Sequence, residues 1–461
     1  MMPNRRDVLR SLGVAAALPV LSICGGTPAR AAARIQRLVT PGGIEAWFVQ
    51  DATVPLVAME YAFAGGASQD PADKPGLSNM VGDLLDEGAG SLDSNAFHAR
   101  LERRAIQMSF STARDYFRGS LRLLKEDRDE AFGLLQLALN EPRFETEAVE
   151  RIRGQIISGL RRESTTPNAL ASRAFWQLAY PDHPYGRPSG GTLESVPTIQ
   201  TADLHAYRRR TFSRDQLKIA VVGDIDADTL GRLIDRAFGA LPASAELTPV
   251  AEVAPATPPK RVNVALDVPQ TVVMFGAAAL RRSDPDFMTA YVINHVLGGG
   301  GLSSRLYREV REKRGLVYSI SESMIWMSRS SMLVGATATR ADRAEATIAT
   351  VDAEIARMGA AGPTQTELDE AKSYLKGSQM LALDTSAKIA AVLVQYQLDN
   401  LGIDYIERRN GLIDAVTLDN TRRVARQLWG QGLLTVQVGR TAEATAQSTV
   451  APPAPPAPVK N

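Results

Sequence analysis

Asn79, Gly82, Asp83 and Asp86 recur at i, i+3, i+4 and i+7 in the stretch GLSNMVGDLLDEGAG, residues 76–90. On a helix such residues share one face and can converge on one object. Leu77, Met80, Val81, Leu84 and Leu85 take the opposite face, at the spacing of a buried stripe. A helix face of this kind holds zinc when it carries two imidazoles with a carboxylate base beside them. This one has an amide, a glycine and two carboxylates, and no histidine. The four histidines, His98, His183, His205 and His295, are nowhere within a helical turn of one another. Each is expected to be a surface or packing residue. Asp83, Asp86 and Glu87 are read as a solvated acidic helix end and not as a site for a hard cation.

A second group with chemistry lies in LGGGGLSSRLYREVREKRGLVYSIS, residues 297–321. Gly298, Gly299, Gly300 and Gly301 precede a helix expected to start at Ser303 or Ser304. No Lys-Ser/Thr pair follows them, which argues against a phosphate cradle. The glycines instead allow a backbone to approach closely. Leu302, Leu306 and Val310 are expected on the buried side of the helix, with Gly315 as its stop. Leu316, Tyr318 and Ile320 then alternate along a strand. Arg311 ends the helix and Tyr318 follows in the strand. On one reading Arg311 complements the helix dipole and Tyr318 packs. On the other, both project into one cleft and donate to a peptide carbonyl, more strongly to the oxyanion it becomes under attack. The residues alone leave both readings open.

The elements that must position these groups can be read along the chain. Its 461 residues predict two or more domains, and a net charge of +1 gives no footprint of a nucleic-acid binder. Residues 1–31 read as a signal peptide: Arg5, Arg6 and Arg10, an apolar stretch from Leu12 to Ile23, and the cleavage pattern Ala29-Arg30-Ala31. The paired Arg5-Arg6 suggests twin-arginine export, so a periplasmic location is expected. The only cysteine, Cys24, lies within that segment, so the mature chain is expected to have no disulfide and no cysteine-ligated metal. Removing those residues takes the net charge to −2, which leaves no electrostatic case for membrane binding, and no stable membrane insertion is expected.

Two Pro/Ala-rich segments punctuate the rest: 242–260 reads as a linker and 441–461 as a disordered tail. The segments either side of the linker rhyme. TADLHAYRRRTFSRDQLKIAVVGD from Thr201 and TLDNTRRVARQLWGQGLLTVQVGR from Thr417 each place a Thr-x-Asp cap before a basic helix and an apolar strand ending in Val-Gly. Thr-Glu-x-x-Glu recurs at Thr146 and Thr366. A duplicated domain follows, at 32–241 and 261–440. Strands outnumber crossover units, so each copy is predicted as an α/β (α+β) two-layer unit, a mixed or antiparallel sheet with helices on one face.

The chain resembles the pitrilysin/insulinase metallopeptidase family over roughly Arg34 to Arg440. The likeness is carried by GLSNMVGDLLDEGAG, DHPYGRPSGGT, YRRRTFSRDQLKIAVVGDIDADTL and GLSSRLYREVREKRGLVYS. The resemblance implies a processing-peptidase-like half clamshell. Active members carry an inverted zinc motif, His-x-x-Glu-His. Its first His falls on Asn79, its Glu on Gly82 and its second His on Asp83. The distal Glu ligand belongs to a helix matching Glu147–Leu160, whose second half, RGQIISGL, has no carboxylate. Arg311 and Tyr318 match the family's Arg/Tyr pair in residue type and spacing. The resemblance thus implies a zinc-free subunit, inactive alone and with no cofactor of its own. Zinc is expected only in a partner chain of the same family, as a heterodimer or larger assembly. Arg311 and Tyr318 would position a peptide substrate, and Gly298–Gly301 would admit its backbone. The alternative is a non-catalytic structural or peptide-binding protein of the same fold.

Overall fold

The computed structural model describes residues 34–440; the predicted signal segment and Pro/Ala tail lie outside them. The first half begins with three strands, β1 (Gln36–Val39), β2 (Glu45–Gln50) and β3 (Leu56–Ala64). Helix α1 (Leu77–Gly82) leads to a short hairpin, β4 (Gly88–Ala89) and β5 (Leu92–Asp93), and to α2 (Ser94–Arg103). Strands β6 (Gln107–Thr112) and β7 (Tyr116–Leu124) follow. Then come α3 (Arg128–Asn140), α4 (Thr146–Glu163), α5 (Pro167–Ala179) and α6 (Thr201–Thr211). Strand β8 (Leu217–Gly223) and α7 (Ala227–Phe238) complete the half.

The second half comprises β9 (Lys260–Ala265), β10 (Gln270–Ala278), α8 (Phe287–Asn294), β11 (Val317–Trp326) and β12 (Ser331–Arg340). It continues through α9 (Ala344–Ala361), α10 (Gln365–Leu381), α11 (Ser386–Leu398), α12 (Tyr405–Asp414) and α13 (Leu418–Trp429) to β13 (Leu434–Gly439).

The duplication is visible in strand order. One sheet runs β1-β2-β8-β3-β7-β6 and the other β9-β13-β10-β12-β11. Setting β1 aside, the two orders match strand for strand. In both, the only parallel pair joins the first strand to the last, β2 with β8 and β9 with β13. The mixed sheets predicted from strand alternation are therefore present twice, each with its own helical layer. Residues Val57, Met59, Tyr61 and Phe63 of β3 face one core with α3 and α7. Val273, Phe275 and Ala277 of β10 face the equivalent core with α8 and α9.

The other face of each sheet is covered by a helix from the opposite half. Ala390, Leu393, Val394 and Leu398 of α11 pack on Trp47, Val49, Ala62, Ala220 and Val222 of the first sheet. Ala171, Phe175 and Trp176 of α5 pack on Val272, Leu434, Val436 and Val438 of the second. This exchange makes neither half complete alone. The β6–β7 and β11–β12 turns also meet. Ser328 N–H donates to Asp115 at 2.9 Å, and Tyr185 donates to the same carboxylate at 2.5 Å. Residues 242–259 form no helix or strand, yet Val253 N–H donates to the Arg329 carbonyl at 3.0 Å and Ala256 N–H to Ala179 at 2.8 Å. No helix among the described residues is long and apolar enough to cross a membrane.

Candidate functional site

Helix α1 is shorter than its apolar stripe predicts: it ends at Gly82 and turns carry the chain to Glu87. The ladder changes from Asp83 N–H bonding Asn79 to Leu84 N–H bonding Val81, a tighter i to i+3 winding. Glycine is a poor helix former, which favours the change at that point. The stripe nevertheless does its work, since Leu77, Met80, Val81, Leu84 and Leu85 are all buried.

The start of α1 is fixed from outside. Gly76 has φ +95, and a Cβ there would lie 2.7 Å from the Gly191 Cα, so both glycines are needed for this approach. Asp70 accepts from the N–H groups of Gly76 and Ser78, each at 2.9 Å. Burial pushes its carboxyl up to about 6. Arg187, from the DHPYGRPSGGT motif, donates to the Asp70 carbonyl at 2.9 Å. That motif is therefore a brace for the helix. Thr112 of β6 donates to the Ser78 carbonyl at 2.9 Å and ties α1 to the edge strand.

The degenerate motif borders a cleft of about 500 Å³ between α1, β6 and α4, lined by Gly82, Asp83, Asp86, Phe110, Gln155 and Ile156 among others. Asn79 donates to Asp83 at 3.0 Å. Burial by the cleft walls raises the Asp83 carboxyl, and the Asp86 charge adds to it, although the outer surface of Asp83 stays open to solvent. Burial also raises Asp86. Glu87 is desolvated, but hydrogen bonds from Arg151 and Ser94, both 2.5 Å, outweigh that and hold it below the usual range.

These residues do not fit a zinc ion. The donor set is an amide committed to a neighbouring carboxylate, two aspartates and no imidazole. Among the described residues no three His, Cys, Asp or Glu side chains are grouped to hold a metal. His98 sits 3.8 Å from Glu87. His183 caps the Tyr185 N–H, His205 packs on Phe144 and His295 stacks on Tyr374. Gly82 is not required sterically: a Cβ there would meet Phe117 at 3.6 Å, an ordinary contact.

The structure brings Arg311 and Tyr318 together in a way the strand alternation does not predict. The segment Tyr307–Glu312 is wound as a π-helix, with Lys313 N–H reaching the Arg308 carbonyl at 2.9 Å. The Arg311 guanidinium carbon then lies 4.8 Å from the ring centres of both Tyr307 and Tyr318. Leu316, Tyr318 and Ile320 do not share a face. A bulge between Val317 and Ile320 shifts the pairing with β12, so Val317 and Ile320 both turn inward while Tyr318 points out, 82% exposed. Leu306 and Val310 are buried as expected, but Leu302 is not. It is 69% exposed, because it lies in the turn before Ser304 and not on the helix.

The four glycines are not the open loop expected: Gly298 and Gly299 end a π-wound extension of α8 (His295–Gly299) and Gly301 starts a 3-10 turn, with Gly298 buried and Gly299 and Gly301 exposed. A Cβ on Gly298 would lie 2.5 Å from that of Glu322, so this glycine admits the chain's own strand β11. Glu322 is fully buried beneath it, accepting from Asn294 at 3.1 Å. The residues lining the α1 cleft come from the first half alone, and neither Arg311 nor Tyr318 is among them.

Two family models match in succession. The one described as insulinase, peptidase family M16, covers residues 48–192, and the one described as the peptidase M16 inactive domain covers 198–375. The chain belongs to the insulinase family. Its motif positions, Asn79, Gly82 and Asp83, place it among members without the zinc-binding sequence. It is similar to the non-peptidase homolog YmxG of Helicobacter pylori, at 29% identity over 72% of this chain and 77% of that one. An uncharacterized zinc protease of Mycobacterium leprae is 26% identical over 86% of this chain and 89% of its own. A crystal structure of a peptidase M16 inactive domain from Pseudomonas fluorescens superposes with a TM-score of 0.83 at 28% identity, covering 89% of this chain and 98% of that one.

Proposed function

We propose that this protein is the zinc-free subunit of a periplasmic two-chain peptidase, holding an unfolded peptide for a zinc-bearing partner of the same family. The observation that carries the reading is the Arg311–Tyr318 pair. The guanidinium is braced between two tyrosine rings, no carboxylate among the described residues claims it, and the Tyr318 phenol is held out to solvent by the bulge. Two preorganised donors of this kind suit a peptide carbonyl and, better, the oxyanion formed from it. Strand β6 supports the reading from the other half: it is a sheet edge beside the α1 cleft, with free main-chain groups for an extended peptide. The Helicobacter relative's name agrees with a chain that does not turn over substrate alone. The predicted export signal supports the periplasm.

In this mechanism the chain contributes binding and orientation, and no proton transfer, because position 82 has no base. The test is reconstitution of the purified chain with a zinc-motif partner and an unstructured peptide. Wild type is expected to raise cleavage well above the partner alone. Arg311→Ala with Tyr318→Phe is expected to lower kcat by about 100-fold or more, the usual effect of losing an oxyanion donor. Full activity in that variant would refute the positioning role, and no stimulation by wild type would refute the subunit role.

A further inference from the structure

Elements β11, α8, α10, α11 and α12 of the second half line a half-open cavity of about 260 Å³. Its walls are aromatic. Phe287 meets Trp326 edge to face at 5.3 Å, and Tyr396 meets Tyr405 in the same way at 4.9 Å. Tyr291 stacks on Phe287. Two guanidiniums border this space, and their charges are treated differently.

Arg282 lies 4.2 Å above the Phe287 ring and 3.7 Å from Asp399. Asp399 in turn accepts from the Trp326 indole N–H at 3.1 Å and from Gln395 at 2.8 Å. That charge is answered. Arg409 donates to the Leu375 carbonyl at 3.0 Å and faces the Tyr291 ring at 6.0 Å. It is half-buried, and no carboxylate among the described residues pairs with it. Two cations against one anion leave the cavity with an unbalanced positive charge on apolar walls. In such surroundings the attraction for an anion is stronger than in open water.

We infer that this cavity binds a monocarboxylate carried on an aromatic or branched apolar group, with the ring among the tyrosines and the carboxylate on Arg409. The volume admits one side-chain-sized group and little more. A free aromatic acid and the C-terminus of a peptide ending in a bulky apolar residue present the same chemistry. Arg282, Trp326, Gln395 and Asp399 also line a polar cleft of about 540 Å³ between the two halves. The shared lining sets that cleft beside the cavity, on the side where a preceding residue would lie. The cavity shares no residue with the Arg311–Tyr318 pair or with the α1 cleft, so the inference stands apart from the proposed peptidase role.

Calorimetric titration of the whole mature chain tests it, with 3-phenylpropionate, N-acetyl-Ala-Phe and N-acetyl-Ala-Phe-amide as probes. The acids are expected to bind at least about tenfold tighter than the amide, as one charge-assisted hydrogen bond provides. Arg409→Gln should abolish that preference while Arg409→Lys retains part of it, the acid-to-amide ratio being read within each protein. Tighter binding of phenylpropionate would identify a free acid as the ligand source, and tighter binding of the dipeptide a peptide terminus. Equal binding of acid and amide by the wild type, which involves no variant, would overturn the inference. So would a preference that survives Arg409→Gln, or no binding at millimolar concentrations.

Discussion

Replacing Glu322 by glutamine probes the strand that carries Tyr318. The Glu322 carboxyl is fully buried under the Gly298 turn, and burial pushes it up to about 8 from 4.5. Asn294 donates to it. The buried Trp429 indole N–H, which finds no partner in good geometry, lies near enough to moderate the rise. Below pH 4.5 the group holds its proton in both folded and unfolded chains and costs nothing. As pH rises, the unfolded chain ionises first. Stability then falls by about 1.4 kcal/mol per pH unit until the folded group ionises near 8, after which the loss is constant. At pH 7 the accumulated cost is on the order of 3 kcal/mol. Glutamine keeps the shape and the acceptor without the charge. The Glu322→Gln protein should match wild type in urea at pH 4.5 and exceed it increasingly toward pH 8. Glu60, at about 7, and Asp70, at about 6, tilt stability the same way, so the difference between variant and wild type is the informative quantity. A difference that stays constant from pH 4.5 to 8 would refute the claim that Glu322 is buried and protonated.

Other outcomes follow from the same contacts. Leu393→Ala, in the helix that crosses to the opposite sheet, should cost about 2–5 kcal/mol. It should move a single unfolding transition seen alike by far-UV circular dichroism and tryptophan fluorescence; two separated transitions would contradict the exchange. Asp70→Ala leaves the Gly76 and Ser78 N–H groups without their acceptor and should lower stability by about 1–3 kcal/mol in urea titration at pH 5, below the point where the folded carboxyl ionises. Asn79→His with Gly82→Glu and Asp83→His should raise zinc affinity at least about 100-fold over wild type in competition with a chromophoric chelator. Equal affinities would show that more than the donor set is missing.

How much of this was legible follows from what local patterns report. The repeat showed in sequence because each copy must start the same basic helix and end the same strand. The caps themselves differ. Thr417 caps α13, whereas Gln200 and Asp203 form the capping box of α6, with Thr201 already inside the helix. The loss of the zinc motif is a matter of residue identity at three positions and needs no coordinates. The Arg311–Tyr318 union was legible only as a spacing. Its geometry depends on a π-wound turn and a strand bulge, each of which breaks the periodicity that sequence reading relies on.

From the sequence alone came the two copies, the buried stripe of α1, the absent zinc ligands and the candidate pair. The tertiary structure decided which sheet α5 and α11 cover, that Gly298 receives the chain's own strand, and that five separated segments line an aromatic cavity bordered by Arg409. Periodicity tells which side of an element is buried, because that is a local property of spacing. It does not tell against what, because partners hundreds of residues apart are chosen by the packing of the whole chain.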